Sequence, residues 1–264
     1  MESDVLTSSV PQIKEALLSA IEQKKIELRY QGQTALPSKA LVGVEALCRM
    51  APGPWAHIPP DQFIPVAEHT GLIAPLEHLV LAQLARDLPL LSQSHPDLRI
   101  GVNLSIRHIT APDFLSFIDQ WLNGLPESVI HRLDFEITES YFQRISQTVI
   151  DGLHALRQRG VRIVMDDFGS GQSSLSRLHT LPFDVIKLDK QFAQQIDHPM
   201  VYAIVKAAIA FAQEFGIELI AEGVETAEQV QALESVDCRL VQGFFFSHPE
   251  PLAHWLSPAQ APTT

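Results

Sequence analysis

The sequence predicts an α/β domain, a TIM-type (β/α)8 barrel with an antiparallel early strand. Short apolar runs that fit strands alternate with segments of helical spacing along the chain. About eight such runs fall within 264 residues, an ordinary length for one barrel. Nearly every run ends in a polar residue that its apolar pattern does not need, and the C-terminal ends of barrel strands are where catalytic groups collect.

Residues 10–25 have helical spacing, with Pro11 in the first turn after Ser8 and Ser9. Strands follow at 26–31 (IELRYQ) and 40–47 (ALVGVEAL). Only the short loop 34–39 separates these two, so they are expected to pair antiparallel. Residues 60–70 and 74–92 are predicted helices, broken by Gly71. The run 98–105 (LRIGVNLS) precedes a helix over about 112–122. The run 132–138 (RLDFEIT) precedes a helix over 145–159 that stops at Gly160. Then come 161–167 (VRIVMDD), a short helix near 173–179, 183–189 (FDVIKLD) and a long helix over 199–215 closed by Gly216. The last units are 217–223 (IELIAEG) with a helix at 225–235, and 239–246 (RLVQGFFF) with a helix near 251–256. The expected organisation is a flexible N-terminus (1–9), one domain (10–257) and a disordered tail (258–264).

Composition narrows the function. Hydrophobic residues make up 46%, enough for a large core. The formal charge is −12, which argues against binding duplex nucleic acid but admits a phosphate ligand if metal ions supply positive charge. Two cysteines, Cys48 and Cys238, are too few for a disulfide scaffold and point to a reduced, cytoplasmic setting. No apolar run approaches the ~20 residues of a membrane span, and the first ten residues lack a signal-peptide pattern.

The stretch IVMDDFGSG (163–171) runs three apolar residues into two adjacent aspartates and a glycine-rich turn. In mid-strand the two would point to opposite faces, whereas at a strand end both can reach the space above the sheet. Other strand ends carry Glu45, Asn103, Glu136 with Glu139, Lys187 with Asp189, Glu222 with Glu225, and Gln242. Any one of these alone reads more simply as a loop hydrogen-bonder, a helix cap or a rim ion pair. Together, several carboxylates and an amide aimed at one cavity repel unless neutralised. An oxygen-rich set with few histidines suits Mg2+ or Mn2+, and Asp166–Asp167 suits two-metal phosphodiester chemistry. The 11 histidines show no zinc spacing. Cys48 beside Arg49 reads as a packed thiol rather than a reactive one. The stripe PLEHLVLAQLARDL (75–88) reads as barrel packing, with exposed parts available to a dimer.

The residues Glu45-Ala46-Leu47, within VEALCR (44–49), resemble the signature of the EAL-domain cyclic-di-GMP phosphodiesterases. The resemblance runs from about Ile26 to Leu256. It includes YQ (30–31), FIPVAEHTGLI (63–73), VNLS (102–105), EITES (136–140), DDFGSGQSSLSRL (166–178), IKLDKQF (186–192), AEGVET (221–226) and QGFFFSHPEP (242–251). It implies hydrolysis of one phosphodiester of cyclic-di-GMP to linear pGpG, lowering a bacterial second messenger, with two Mg2+ or Mn2+ ions. Carried over by position, Glu45, Asn103, Glu136 and Asp166 would hold one ion, and Asp166, Asp167 and Glu222 the other. Lys187 would orient or help deprotonate the attacking water, with Glu222 the alternative base, and Gln242 would position water at the metals. Gln31, Leu47, Arg49, Asn103, Asp189 and Gln242 would contact substrate. Glu225 and Asp189 would support the site, and Glu139 would anchor the loop that begins with Phe168 and Gly169. The resemblance also implies a homodimer that communicates with this loop.

Four positions depart from the family pattern: Gly32 in place of Pro, Met50 in place of an aromatic, Gln172 in place of Tyr and Arg239 in place of an acidic residue. None removes an implied metal ligand. Gly32 and Met50 bear on substrate affinity, and Gln172 on the loop and its coupling to a dimer. Two other readings stay open: a catalytically weak or inactive EAL domain that acts as a cyclic-di-GMP receptor, and an enolase-like barrel lyase with a lysine base and acidic Mg2+ ligands. The consecutive aspartates and the asparagine fit the lyase poorly. A transcription factor or scaffold is a further possibility, but no helix-turn-helix or basic segment supports DNA binding.

Overall fold

A computed structural model describes residues 9–139, 146–170 and 182–256. The expected helix near 173–179, position 172 and the terminal tail lie outside these residues, as does the N-terminus before Ser9.

The elements run α1 (Val10–Glu22), β1 (Ile26–Ala35), β2 (Ala40–Met50), α2 (Pro60–Thr70), α3 (Ile73–Ser94) and β3 (Arg99–Asn103). Next come α4 (Ile106–Ile109), α5 (Phe114–Asn123), α6 (Glu127–Ile130), β4 (Leu133–Thr138), α7 (Gln147–Gln158), β5 (Arg162–Phe168) and β6 (Val185–Leu188). The chain continues through α8 (Lys190–Gln194), α9 (Pro199–Glu214), β7 (Glu218–Ala221), α10 (Ala227–Ser235), β8 (Leu240–Gln242), β9 (Glu250–Pro251) and α11 (Leu252–Trp255). Strands β2 to β8 are parallel neighbours in chain order. β1 closes the ring by pairing antiparallel with both β2 and β8. This is the predicted barrel with its antiparallel early strand.

The first hairpin is longer than its apolar pattern suggests. β1 continues through Gly32, a poor strand former, to Ala35. Gly32 is needed for packing, because a Cβ there would meet Leu41, Ser247 and Trp255 at 2.9–3.0 Å. The last strand is shorter than the run 239–246. It ends at Gln242, since Gly243 lies against the Val224 backbone and Phe246 N–H and Ser247 N–H turn back onto the Gly243 carbonyl at 3.1 and 3.2 Å. Helix α10 begins after Thr226, whose side chain caps it with Gln229, so Glu225 lies just outside the helix.

Strand alternation sorts the barrel interior into layers. At the N-terminal end, Asp134 is clamped by Arg99 at 2.5 Å and Arg162 at 2.7 Å, and Arg162 also pairs with Glu218. Above them Val164, Val185 and Ile220, with Leu240 against them, form a small apolar plug separate from the larger cores under the helices. Two residues further along each strand come the polar ends that the sequence singled out. The plug therefore forms a dry floor beneath them.

Candidate active site

Lys187 stands at the centre of the upper layer. It is 1% exposed, and its Nζ lies 2.6 Å from Glu136 Oε2, 2.7 Å from Glu222 Oε1, 3.1 Å from Glu45 Oε2 and 3.5 Å from Asp166 Oδ1. Glu45 receives two further donors, Asn103 Nδ2 on Oε1 and Gln242 Nε2 on Oε2, both at 2.6 Å. Glu136 fits because its cross-strand neighbourhood includes Gly101, where any Cβ would strike its carboxylate. The structure thus brings together Glu45, Asn103, Glu136, Asp166, Asp167, Lys187, Glu222 and Gln242 from six parallel strands and the loop after β7; Glu45 lies in mid-strand rather than at a strand end, because β2 pairs with β1 as far as Met50.

One ammonium does not neutralise this many carboxylates. Burial raises the pKa of Glu136, and the neighbouring Glu45 raises it further. Burial, then repulsion from Asp166, pushes Asp167 up to about 6. Glu222 is pushed up to about 8, with burial the largest cause. Burial also works against ionising Glu45, but Lys187, Gln242 and Asn103 outweigh it and hold the group below its usual range. Burial disfavours the Lys187 cation, yet the carboxylates around it raise its pKa well above normal, so it is a fixed ammonium. An oxygen each from Asp166, Asp167 and Glu222 lies within 4.8 Å of the others, a cluster able to hold a metal ion. Hard oxygen donors carrying surplus negative charge fit a divalent cation of the Mg2+ or Mn2+ kind.

The remaining residues singled out in the sequence sit around this centre. A cleft of about 260 Å3 on one side is lined by Gln31, Glu45, Lys190, Glu222, Glu225 and Phe244, among others. Gln31 Nε2 donates to the Ser247 carbonyl at 3.0 Å, and its Oε1 accepts from Gln242 at 3.4 Å. A second cleft of about 210 Å3 is lined by Leu47, Arg49, Glu68 and Asn103, among others. There the Arg49 guanidinium donates to the Cys48 carbonyl at 2.8 Å. Asp189 caps α8, accepting from Gln191 N–H at 2.8 Å. Glu139 accepts from Gly169 N–H at 2.6 Å, tying the end of β4 to the loop after β5. Phe168 packs on the core as the last residue of β5.

Among the departures, Gly32 uses the N–H that a proline would lack, donating to Ser247 Oγ at 2.9 Å. Met50 is buried in the core, and Arg239 is exposed at the opposite end of β8 beside Asp237. Burial pushes the Cys48 thiol up to about 12, so it is inert.

Sequence reasoning missed a polar cluster under the turn after Asn103. Ser105 N–H donates to Glu77 Oε1 and Ser105 Oγ to Glu68 Oε1, both at 2.6 Å. Glu77 Oε2 meets His108 Nδ1 at 2.6 Å. Within the stripe 75–88, read as apolar packing, Glu77 and Asp87 are both buried, and Asp87 accepts from Tyr30 OH at 2.7 Å. The available signal was a carboxylate at a buried helical phase. Gln33, buried inside the barrel, was also missed, because it lies past the apolar run 26–31 in the part of β1 that local propensity does not mark as strand.

Among the described residues no helix is long and apolar enough to cross a membrane. The EAL domain family model matches residues 14–249. An uncharacterized protein of Synechocystis sp., sll1895, is 38% identical over 247 residues, which is 90% of this chain and 34% of that protein. A Pseudomonas aeruginosa protein named cyclic di-GMP phosphodiesterase NbdA is 36% identical over 251 residues, 92% of this chain and 31% of that protein. The chain therefore spans about a third of the length of these curated relatives. The solved structure of the PaMucR phosphodiesterase in a c-di-GMP complex superposes with a TM-score of 0.85 at 34% identity, covering 92% of this chain and 99% of that one. With the match running over residues 14–249 of 264, the chain belongs to the EAL domain family.

Proposed function

We propose that the chain is a metal-dependent phosphodiesterase that hydrolyses cyclic-di-GMP to linear pGpG. The observation that carries this reading is the Asp166–Asp167–Glu222 oxygen cluster beside Lys187, at the mouth of an EAL-family barrel. The names of NbdA and PaMucR support the substrate and the reaction.

In this reading Glu45, Asn103, Glu136 and Asp166 hold one Mg2+ or Mn2+ ion, and Asp166, Asp167 and Glu222 a second. Such ions, when bound, make hydroxide available near neutral pH and offset the charge that grows on the phosphoryl oxygens. Water attacks phosphorus in line with the departing ribose oxygen; one P–O bond forms and the ring P–O bond breaks. Lys187, held as an ammonium, orients the nucleophile rather than deprotonating it. Glu222 accepts the proton of the water, and the departing ribose oxygen takes up a proton from solvent to become the free hydroxyl of pGpG. Gln242 and Asn103 hold Glu45 in place. Arg49 offers a planar fork to the phosphate, and Gln31 a contact in the opposite cleft. Asp189 and Glu225 support the rim. The protein self-associates in the same reading, for which exposed Met200, Ile204 and Phe215 around α9 provide apolar surface; sedimentation tests it.

The test is chromatography of cyclic-di-GMP incubated with the protein and Mg2+ or Mn2+, with and without EDTA. Metal-dependent pGpG is expected, and Glu45→Ala and Asp166→Ala abolish it. Undiminished hydrolysis in either variant overturns the site assignment. Bound but intact ligand means a receptor instead.

A further inference from the structure

Gln33 is a large polar side chain in the wrong layer. Alternation along β1 puts it on the same face as Gln31, one step deeper, level with the apolar plug of Val164, Val185, Ile220 and Leu240. It is buried at 5% exposure. Burying an amide there costs free energy unless a hydrogen bond offsets it. Packing alone would favour an aliphatic side chain, as at the other positions of this layer.

The register explains the exception. Gln33 lies opposite Gly43 on β2 and opposite Gln242 on β8. Gly43 leaves the space it needs, since a Cβ there would sit 2.5 Å from Gln33 Oε1. Gln33 Nε2 donates to Gln242 Oε1 at 3.1 Å. Gln242 Nε2 in turn donates to Glu45 Oε2 at 2.6 Å and to Gln31 Oε1 at 3.4 Å. A side-chain amide can present either its oxygen or its nitrogen in a given direction. Turned over, Gln242 would aim its carbonyl oxygen at the Glu45 carboxylate. A donor behind Gln242 selects the useful orientation, and Gln33 is that donor.

We propose that Gln33 is a positioning residue of the active site: its buried amide fixes the orientation of Gln242, and through Gln242 the placement of Glu45 and Gln31. Its effect on turnover rests on the phosphodiesterase reading; its effect on the acidic centre does not. Gln33 lines neither cleft beside the acidic centre and lies outside the Asp166–Asp167–Glu222 cluster. It acts through Gln242, and that dependence distinguishes positioning from simple packing.

The test compares wild type, Gln33→Met, Gln242→Ala and the double variant. Methionine keeps the length and loses the donor. Mn2+ binding is measured by calorimetry, kcat and KM with cyclic-di-GMP, and folding by thermal melting. In folded Gln33→Met, kcat falls about tenfold with KM within about twofold, the pattern of lost orientation rather than lost binding. Mn2+ affinity falls about fivefold, the scale of disturbing a ligand from the second layer. In the Gln242→Ala background the Gln33→Met change adds nothing. Wild-type values of both kcat and Mn2+ affinity in Gln33→Met overturn the proposal, as does a full loss that persists without Gln242. Gln33→Leu, which suits the apolar layer, is the second variant; if neither folds, Gln33 is framework and the proposal falls. If wild type binds Mn2+ but makes no pGpG, the phosphodiesterase reading fails, while the Mn2+ comparison still decides the role of Gln33.

Discussion

Asp166 and Asp167 are adjacent in the chain yet present their carboxylates to one space, each with an oxygen within 4.8 Å of the other and of Glu222. A regular strand would send them to opposite faces. The backbone at Asp167 is left-handed, with φ of 57°, where the pairing of β5 with β6 shifts register between Met165 and Phe168. Aspartate is one of the few residues besides glycine that tolerates this conformation.

Asp167→Asn keeps the turn and removes one charge beside Asp166. In EDTA it is expected to be more stable than wild type, and to have lost metal-dependent hydrolysis. Asp167→Leu also loses activity but carries a backbone cost of about 1–2 kcal/mol. Urea unfolding of the two variants checks this; equal stability contradicts the backbone account.

The acidic centre makes stability depend on pH. Asp167 titrates near 6 in the fold against an ordinary 3.8, and Glu222 near 8 against 4.5. The native state therefore holds protons that the unfolded chain has released. Stability from these groups is full below the ordinary values and is lost as pH rises through the folded ones. In EDTA the melting temperature is expected to fall between pH 5 and 8 for this reason. A divalent ion replaces those protons, so the gain in melting temperature on adding Mn2+ is larger at pH 8 than at pH 6. A gain independent of pH contradicts the assignment.

Lys187 is, among the described residues, the one cation paired with Glu45, Glu136, Asp166 and Glu222. Lys187→Met leaves buried carboxylates without a partner, which costs roughly 3–5 kcal/mol. Urea unfolding in EDTA measures it. Added Mn2+ is expected to recover part of the stability and none of the activity. A variant as stable as wild type in EDTA means that the carboxylates are protonated rather than paired.

Gly169 has φ of 89°, and a Cβ there would lie 2.5 Å from the Phe192 ring. Its N–H is held by Glu139 at 2.6 Å, two residues beyond Asp167. Gly169→Ala and Glu139→Ala are both expected to lower kcat roughly tenfold or more by shifting the end of β5 that carries Asp167. Glu139→Gln keeps an acceptor and retains most of the rate. Steady-state kinetics separates the three; a rate in Glu139→Gln as low as in Glu139→Ala removes the anchoring role.

Much of the barrel is legible residue by residue. Runs such as LRIGV and FDVIKL are too short and too apolar for surface helices, and the glycines at 160 and 216 close the helices before β5 and β7. The polar ends stand out because a buried strand has no local use for Glu45, Glu136 or Lys187. The ends of β1 and β8 were misjudged. Gly32 is unfavourable by local propensity but is required by packing against Trp255, and FFF at 244–246 has strand propensity but folds as a turn.

The sequence by itself determined the strand order, the helical cover and the residues gathered at one mouth, because alternation and strand-end polarity are local properties. It did not reveal the Gln33–Gln242 bond, which joins residues 209 positions apart, or the Glu77–Ser105 and Glu77–His108 contacts beneath Asn103. A buried polar side chain looks like an exposed one until its partner is known, and that partner is set by barrel closure and register. Only the tertiary structure decided that Asp167 turns back beside Asp166, because the choice of a left-handed backbone there depends on how β5 meets β6 and not on the two aspartates alone.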